Sequence, residues 1–97
     1  MSIEKHKEIL TKMHNIYKAK NSEYGNSFSI TFKKYGIISA LTQMFHKWNR
    51  LENLVMDKNA SNSNESLEDS LLDLGNYCIL TLIELENNKI KKGKKTE

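Results

Sequence analysis

Apolar residues recur along this chain at three- and four-residue steps, the period of a helix with one buried face. Ile3, Ile9, Leu10, Met13, Ile16 and Tyr17 share one side of a first helix, expected over about Ser2 to Lys20. Ser2 suits its N-cap, and Glu4 suits the positive end of the dipole. The stretch NSEYGNSF, residues 21–28, gathers Asn, Ser and Gly and reads as a turn in which Gly25 takes a positive φ. Phe28, Phe32 and Tyr35, at i, i+4 and i+7, give a short second helix that Gly36 stops. Ile37, Ile38, Leu41, Met44, Phe45, Trp48, Leu51 and Val55 form a broad stripe on a third helix, over about residues 37–56. His46, Asn49, Arg50 and Asn53 lie on its other side. DKNASNSN, residues 57–64, reads as a mobile polar loop. The last helix is expected over about Glu65 to Asn88, with Ser63 or Asn64 as its cap. Leu67, Leu71, Leu74, Cys78, Leu82 and Leu85 make one apolar seam along it.

The fold class that follows is all-α: an antiparallel bundle of three main helices and one short one. The second half of the last helix, YCILTLIEL, is apolar nearly all round and must be covered on all sides. A chain of 97 residues does not easily do that alone. The expectation is a homo-oligomer built on the Glu65–Asn88 helix; the alternative is a monomer whose short second helix covers the far side.

Composition narrows the classes. The length allows one domain, taken as residues 1–88, followed by a basic tail, 89–97. A single cysteine, Cys78, excludes a disulfide framework and a Cys-rich zinc module, and reads as an inert core thiol. No apolar run is long enough to span a bilayer, and the N-terminus has no signal-peptide core, so a soluble cytoplasmic protein is expected. The formal charge of +3 misleads, because the tail KIKKGKKTE carries +4 and leaves residues 1–88 at −1. The tail reads as a solubilising end that holds phosphate or acidic partners only weakly. A single arginine argues against a surface that reads duplex sequence.

Three groups are candidates for chemistry. Glu65, Asp69 and Asp73 repeat every four residues and Asn76 follows, all within a narrow arc of the last helix. Stacked carboxylates repel, which a divalent cation or a basic surface would offset. Against this stands an ordinary solvated face, although the face runs on into Leu80 and Ile83, as the wall of a groove would. On the third helix, His46, Lys47 and Arg50 form a second group with Glu52, and Arg50, the single arginine, is suited to bidentate phosphate contact. The plainer reading pairs Arg50 with Asp69 or Asp73 inside the chain. At the turn, Lys20, Tyr24 and Gly25 could hold a phosphate or stack a base, while Tyr24 serves equally well as core. His6 and His14 read as surface residues, and no Ser/His/Asp or Cys/His arrangement, P-loop or glycine-rich nucleotide fingerprint is present.

Four ordered blocks carry a resemblance. They are K–N–x–E–Y–G–N–S–F from Lys20, F–x–K–Y–G–x–I–S–A from Phe32, H–K–x–x–R–L–x–N–L from His46 and E–S–L–x–D–S–L–L–D–L–x–N–Y from Glu65. Over about residues 14–86 the chain resembles the nucleotide modification associated domain type 1 family, small helical proteins of bacteriophages and prophages. The resemblance implies association with nucleotides. It also implies a distant likeness to the all-α MazG-like NTP pyrophosphohydrolases, in which acids on two helices hold Mg²⁺ around a triphosphate. Carried onto this chain, Glu65, Asp69 and Asp73 match the acidic block, Lys47 and Arg50 the basic one, and Tyr24 and Gly25 the turn. His46 stands where the resemblance leads one to expect Asp, and a neutral imidazole is a poor Mg²⁺ ligand.

Two functions are therefore expected in order. The first is a phage-type protein that captures a phosphorylated nucleotide without turnover, with no cofactor, for example a cyclic signal of host immunity. Its ligand-binding residues would be Lys20, Tyr24, Gly25, His46, Lys47, Arg50 and Asn76. The second is a Mg²⁺-dependent nucleoside triphosphate pyrophosphohydrolase with Glu65, Asp69 and Asp73 as metal ligands. A weaker third is a phage factor that docks its apolar last helix on a host protein.

Overall fold

The computed structural model describes the backbone over residues 2–24, 26–56 and 64–96, and side chains over 2–21, 26–56 and 66–89. Four helices follow one another: α1 Ile3–Tyr24, α2 Ser27–Tyr35, α3 Ile37–Met56 and α4 Asn64–Thr96. No strand occurs among the described residues, and the class is all-α. The polar segment 57–63 and Gly25 lie outside them.

Local chemistry sets the boundaries. The Ser2 hydroxyl accepts the Lys5 amide at 3.1 Å, satisfying a donor that the first turn leaves without an intrahelical partner. α1 then runs four residues past Lys20, so Asn21 to Tyr24 are helical and not a turn. Asn and Ser disfavour helix interiors only weakly, and a continuing helix overrides them. Gly36 alone separates α2 from α3. At φ 78° it occupies a region closed to most side chains, and its amide donates to the Phe32 carbonyl at 2.7 Å. Its own carbonyl accepts both the amide and the hydroxyl of Ser39, which starts α3 at once.

α3 and α4 form an antiparallel hairpin. Arg50 meets Ser70, Lys47 meets Asp73 and Met44 meets Cys78, so numbers fall on one helix as they rise on the other. α1 crosses the back of α4 at Gly75, where a Cβ would stand 2.9 Å from the Met13 methyl group. The missing side chain lets the two helices approach.

The seam expected on α4 is not what the chain buries. Among the described residues of α4, Ser70, Thr81 and Glu84 are the ones packed away from solvent; of the seam, Leu67 and Leu74 are half-buried and Leu71, Leu82 and Leu85 are exposed. Cys78 is likewise exposed, not a core thiol. The reason is rotational: α3 docks on an arc of α4 centred near Ser70 and Thr81, and the leucine seam lies to one side of it. Both buried hydroxyls have partners, one within α4 and one on α3. Thr81 donates to the Tyr77 carbonyl at 2.7 Å, and Ser70 accepts from Arg50 Nε at 3.2 Å. The apolar core among the described residues is Phe32, Ala40 and Leu51.

Candidate functional site

Opposite the leucine seam, the four helices enclose a cleft of about 400 Å³. α1 contributes Tyr17, Lys20 and Asn21, and the start of α2 contributes Asn26, Ser27, Phe28 and Ser29. α3 supplies Gln43 and Lys47, and α4 supplies Asp73, Asn76, Tyr77, Leu80, Ile83, Glu84 and Asn87. The volume lies within the range of small-molecule sites, and the wall mixes aromatic, aliphatic and polar groups as such sites do.

The charged centre has a specific form. Lys20 Nζ stands 3.1 Å from Asp73 Oδ1, and Lys47 Nζ stands 3.1 Å from Asp73 Oδ2. Two ammonium groups from different helices thus grip the two oxygens of one carboxylate. All three side chains keep partial access to solvent. Burial pushes the Asp73 carboxyl up, but the hydrogen bonds and charges of Lys20 and Lys47 outweigh it and hold the group below the ordinary carboxylate range. Two cations around a planar oxyanion are also what a phosphate oxygen pair would require.

Rings line the neighbouring wall. The centroids of Phe28 and Tyr77 are 5.9 Å apart and tilted by 32°, and Phe28 stacks at 6.3 Å on the buried Phe32. Phe28 is therefore backed by core. Tyr17 donates a long 3.5 Å hydrogen bond to Asn21, at the α1 edge of the cleft.

Of the residues singled out in the sequence, Lys20, Lys47, Asp73 and Asn76 come together here, and Leu80 and Ile83 extend the wall. His46, Arg50 and Asp69 are exposed and do not line the cleft. Arg50 pairs with neither Asp69 nor Asp73; its Nε donates to Ser70. The place expected for it against Asp73 is taken by the two lysines. The side chains of Tyr24, Gly25 and Glu65 lie outside the described residues. Among the described residues, no three of His, Cys, Asp and Glu gather closely enough to hold a metal ion. His6 and His14 are exposed.

Tyr17, Phe28, Gln43, Tyr77 and Glu84 belong to the cleft but were not legible as site residues. Their spacing marks Tyr17 and Phe28 as core, and Glu84 sits within an apolar run. The one available signal was the polar atom carried by Tyr17, Tyr77 and Glu84 at otherwise apolar positions.

No helix among the described residues is long and apolar enough to cross a membrane. No curated protein and no solved structure matches the chain. The family comparison is positive: the model of the nucleotide modification associated domain 1 matches residues 20–85, a span that opens at the first cleft lysine and includes Lys47, Asp73, Asn76 and both stacked rings. With about two thirds of its length and most of the cleft inside that match, the chain belongs to the nucleotide modification associated domain 1 family.

Proposed function

We propose that the cleft binds a phosphorylated nucleotide and holds it without turnover. The observation that carries this reading is the convergence of Lys20 and Lys47 on one oxyanion beside the Phe28–Tyr77 wall. A phosphate would take the place of the Asp73 carboxylate between the two ammonium groups. The base would lie toward the rings, where stacking contributes about 1–3 kcal/mol per base. Asn76 and Gln43 would read polar edges. Asp73 then acts as an internal stand-in anion, which keeps the lysines placed while the cleft is empty and selects for ligands of higher charge. In a phage setting such a protein would withhold a signalling nucleotide, a cyclic one included, from its receptor in the host cytoplasm. The proposal extends to a homo-oligomer in which α4 contributes to the contact between copies.

The enzymatic alternative is a Mg²⁺-dependent pyrophosphohydrolase. It needs Glu65, Asp69 and Asp73 on one ion, and Asp73 is already engaged by two cations. Titration calorimetry with a panel of linear and cyclic nucleotides separates the two. Heat from at least one ligand, lost in Lys47→Ala and recovered unchanged by chromatography after long incubation with Mg²⁺ or Mn²⁺, supports capture. Release of pyrophosphate supports the enzyme instead, and no heat from any nucleotide removes the reading.

A further inference from the structure

The side of the α3–α4 hairpin that faces away from the cleft keeps large apolar side chains at least half exposed among the described residues. Phe45 is 58% exposed, Trp48 52%, Leu41 51%, Leu71 52% and Leu82 64%. Helical geometry places them together. At about 100° per residue, Leu41, Phe45 and Trp48 lie about 80–140° round from Ala40, and Leu71, Cys78 and Leu82 lie about 80–120° round from Ser70 in the same sense. Because the helices are antiparallel, that shared sense puts both sets on one side of the hairpin. Lys47, Asp73 and Leu80 are rotated the other way, toward the cleft.

The area argues for what covers this side. The chain exposes 7965 Å², against about 5,700 Å² for a compact monomer of 11.3 kDa. Part of the excess reflects an elongated shape of 56 × 32 × 29 Å. The whole excess, about 2,300 Å² by that scaling, exceeds the roughly 1,000 Å² per subunit that an obligate homodimer buries, and so leaves room for such an interface. Contiguous aromatic and leucine surface of this kind is what such interfaces contain and what isolated monomers rarely expose.

The geometry points to a second copy of this chain as the occupant: two hairpins pack α3 and α4 of one protomer against α3 and α4 of the other. This deepens the oligomer reading and is independent of the nucleotide reading, because the cleft opens on the opposite side and stays complete in each protomer. It also assigns α3 a share of the contact that the leucine seam of α4 alone does not reveal.

Sedimentation velocity over a dilution series, with the emission of the single tryptophan, Trp48, read on the same samples, tests it. The wild type should sediment as a dimer or larger assembly, with Trp48 emission shifting to longer wavelength as it dissociates. Leu41→Glu and Leu82→Glu should each raise the dissociation constant at least 100-fold, while Ile3→Glu, on α1, should not. A wild type that stays monomeric at every concentration overturns the oligomer itself, including the case in which that monomer floats with lipid vesicles. An assembly whose mass survives both glutamate variants, or whose Trp48 emission does not change on dissociation, overturns this face as the contact. If the variants unfold by circular dichroism, the wild-type Trp48 emission series decides.

Discussion

The two sides of the α3–α4 hairpin solve opposite problems. On the cleft side, polar groups from three helices satisfy one another within the chain: Lys20 and Lys47 share Asp73. On the other side, Leu41, Phe45, Trp48, Leu71 and Leu82 are each at least half exposed. Charge can be neutralised by a few well-placed groups. Apolar surface can only be removed from water by area, and a 97-residue chain lacks the area. The cleft side thus has its charge neutralised within the chain, while the apolar side keeps its large side chains half in water.

The difference can be attacked first at what holds both sides. Phe32 and Leu51 are the large apolar side chains of the core. Phe32→Ala is expected to cost about 3–5 kcal/mol and to loosen both the Phe28 wall and the hairpin, seen as a large fall in thermal midpoint at fixed protein concentration. A midpoint within a few degrees of wild type would mean that association, not this core, holds the fold.

A more selective break is Lys47→Ala. It should weaken nucleotide binding at least tenfold by calorimetry, with the sedimentation behaviour unchanged. Loss of assembly together with binding would show that the two sides are coupled. Stability should change little, since a partly exposed ion pair contributes under about 1 kcal/mol.

Asp73 sharpens the same side by pH. Its carboxyl titrates below the ordinary range in the folded chain, so its contribution is present above the unfolded-state value near 3.9 and is lost as pH falls through the lower folded value. Thermal melts of wild type and Asp73→Asn should therefore differ at neutral pH and converge as the pH falls through that lower folded value. A gap that persists or widens on acidification is the contrary result.

The smallest effect is expected at Gly75→Ala. The helix propensity gained, up to about 1 kcal/mol, is opposed by the displacement of the Met13 methyl, a flexible chain end. A change in midpoint beyond a few degrees would mean that the α1–α4 crossing is less accommodating than its side chains imply.

How much of this was readable in advance follows from the kind of interaction involved. Gly36 and the start of α3 were legible because a helix end is settled by residues within one turn of it. Lys20, Lys47, Asp73 and Asn76 were legible as candidates because they are polar residues on faces that run into apolar ones. Arg50 was equally plausible from spacing, yet it lies about one turn along α3 from Lys47 and faces Ser70, outside the cleft. Tyr77 and Phe28 were hidden, since a ring at a helical apolar position is indistinguishable from core until its neighbours are placed.

The sequence by itself determined the four helices and the apolar faces they carry, because periodicity and capping are properties of consecutive residues. Only the tertiary structure decided how far each helix is rotated against the next. That rotation turned Asp73 toward two lysines and left Leu71, Leu82 and Leu85 of the seam exposed, because the docking of α3 near Ser70 fixes one arc of α4 as buried and so assigns the residues on either flank to one side or the other.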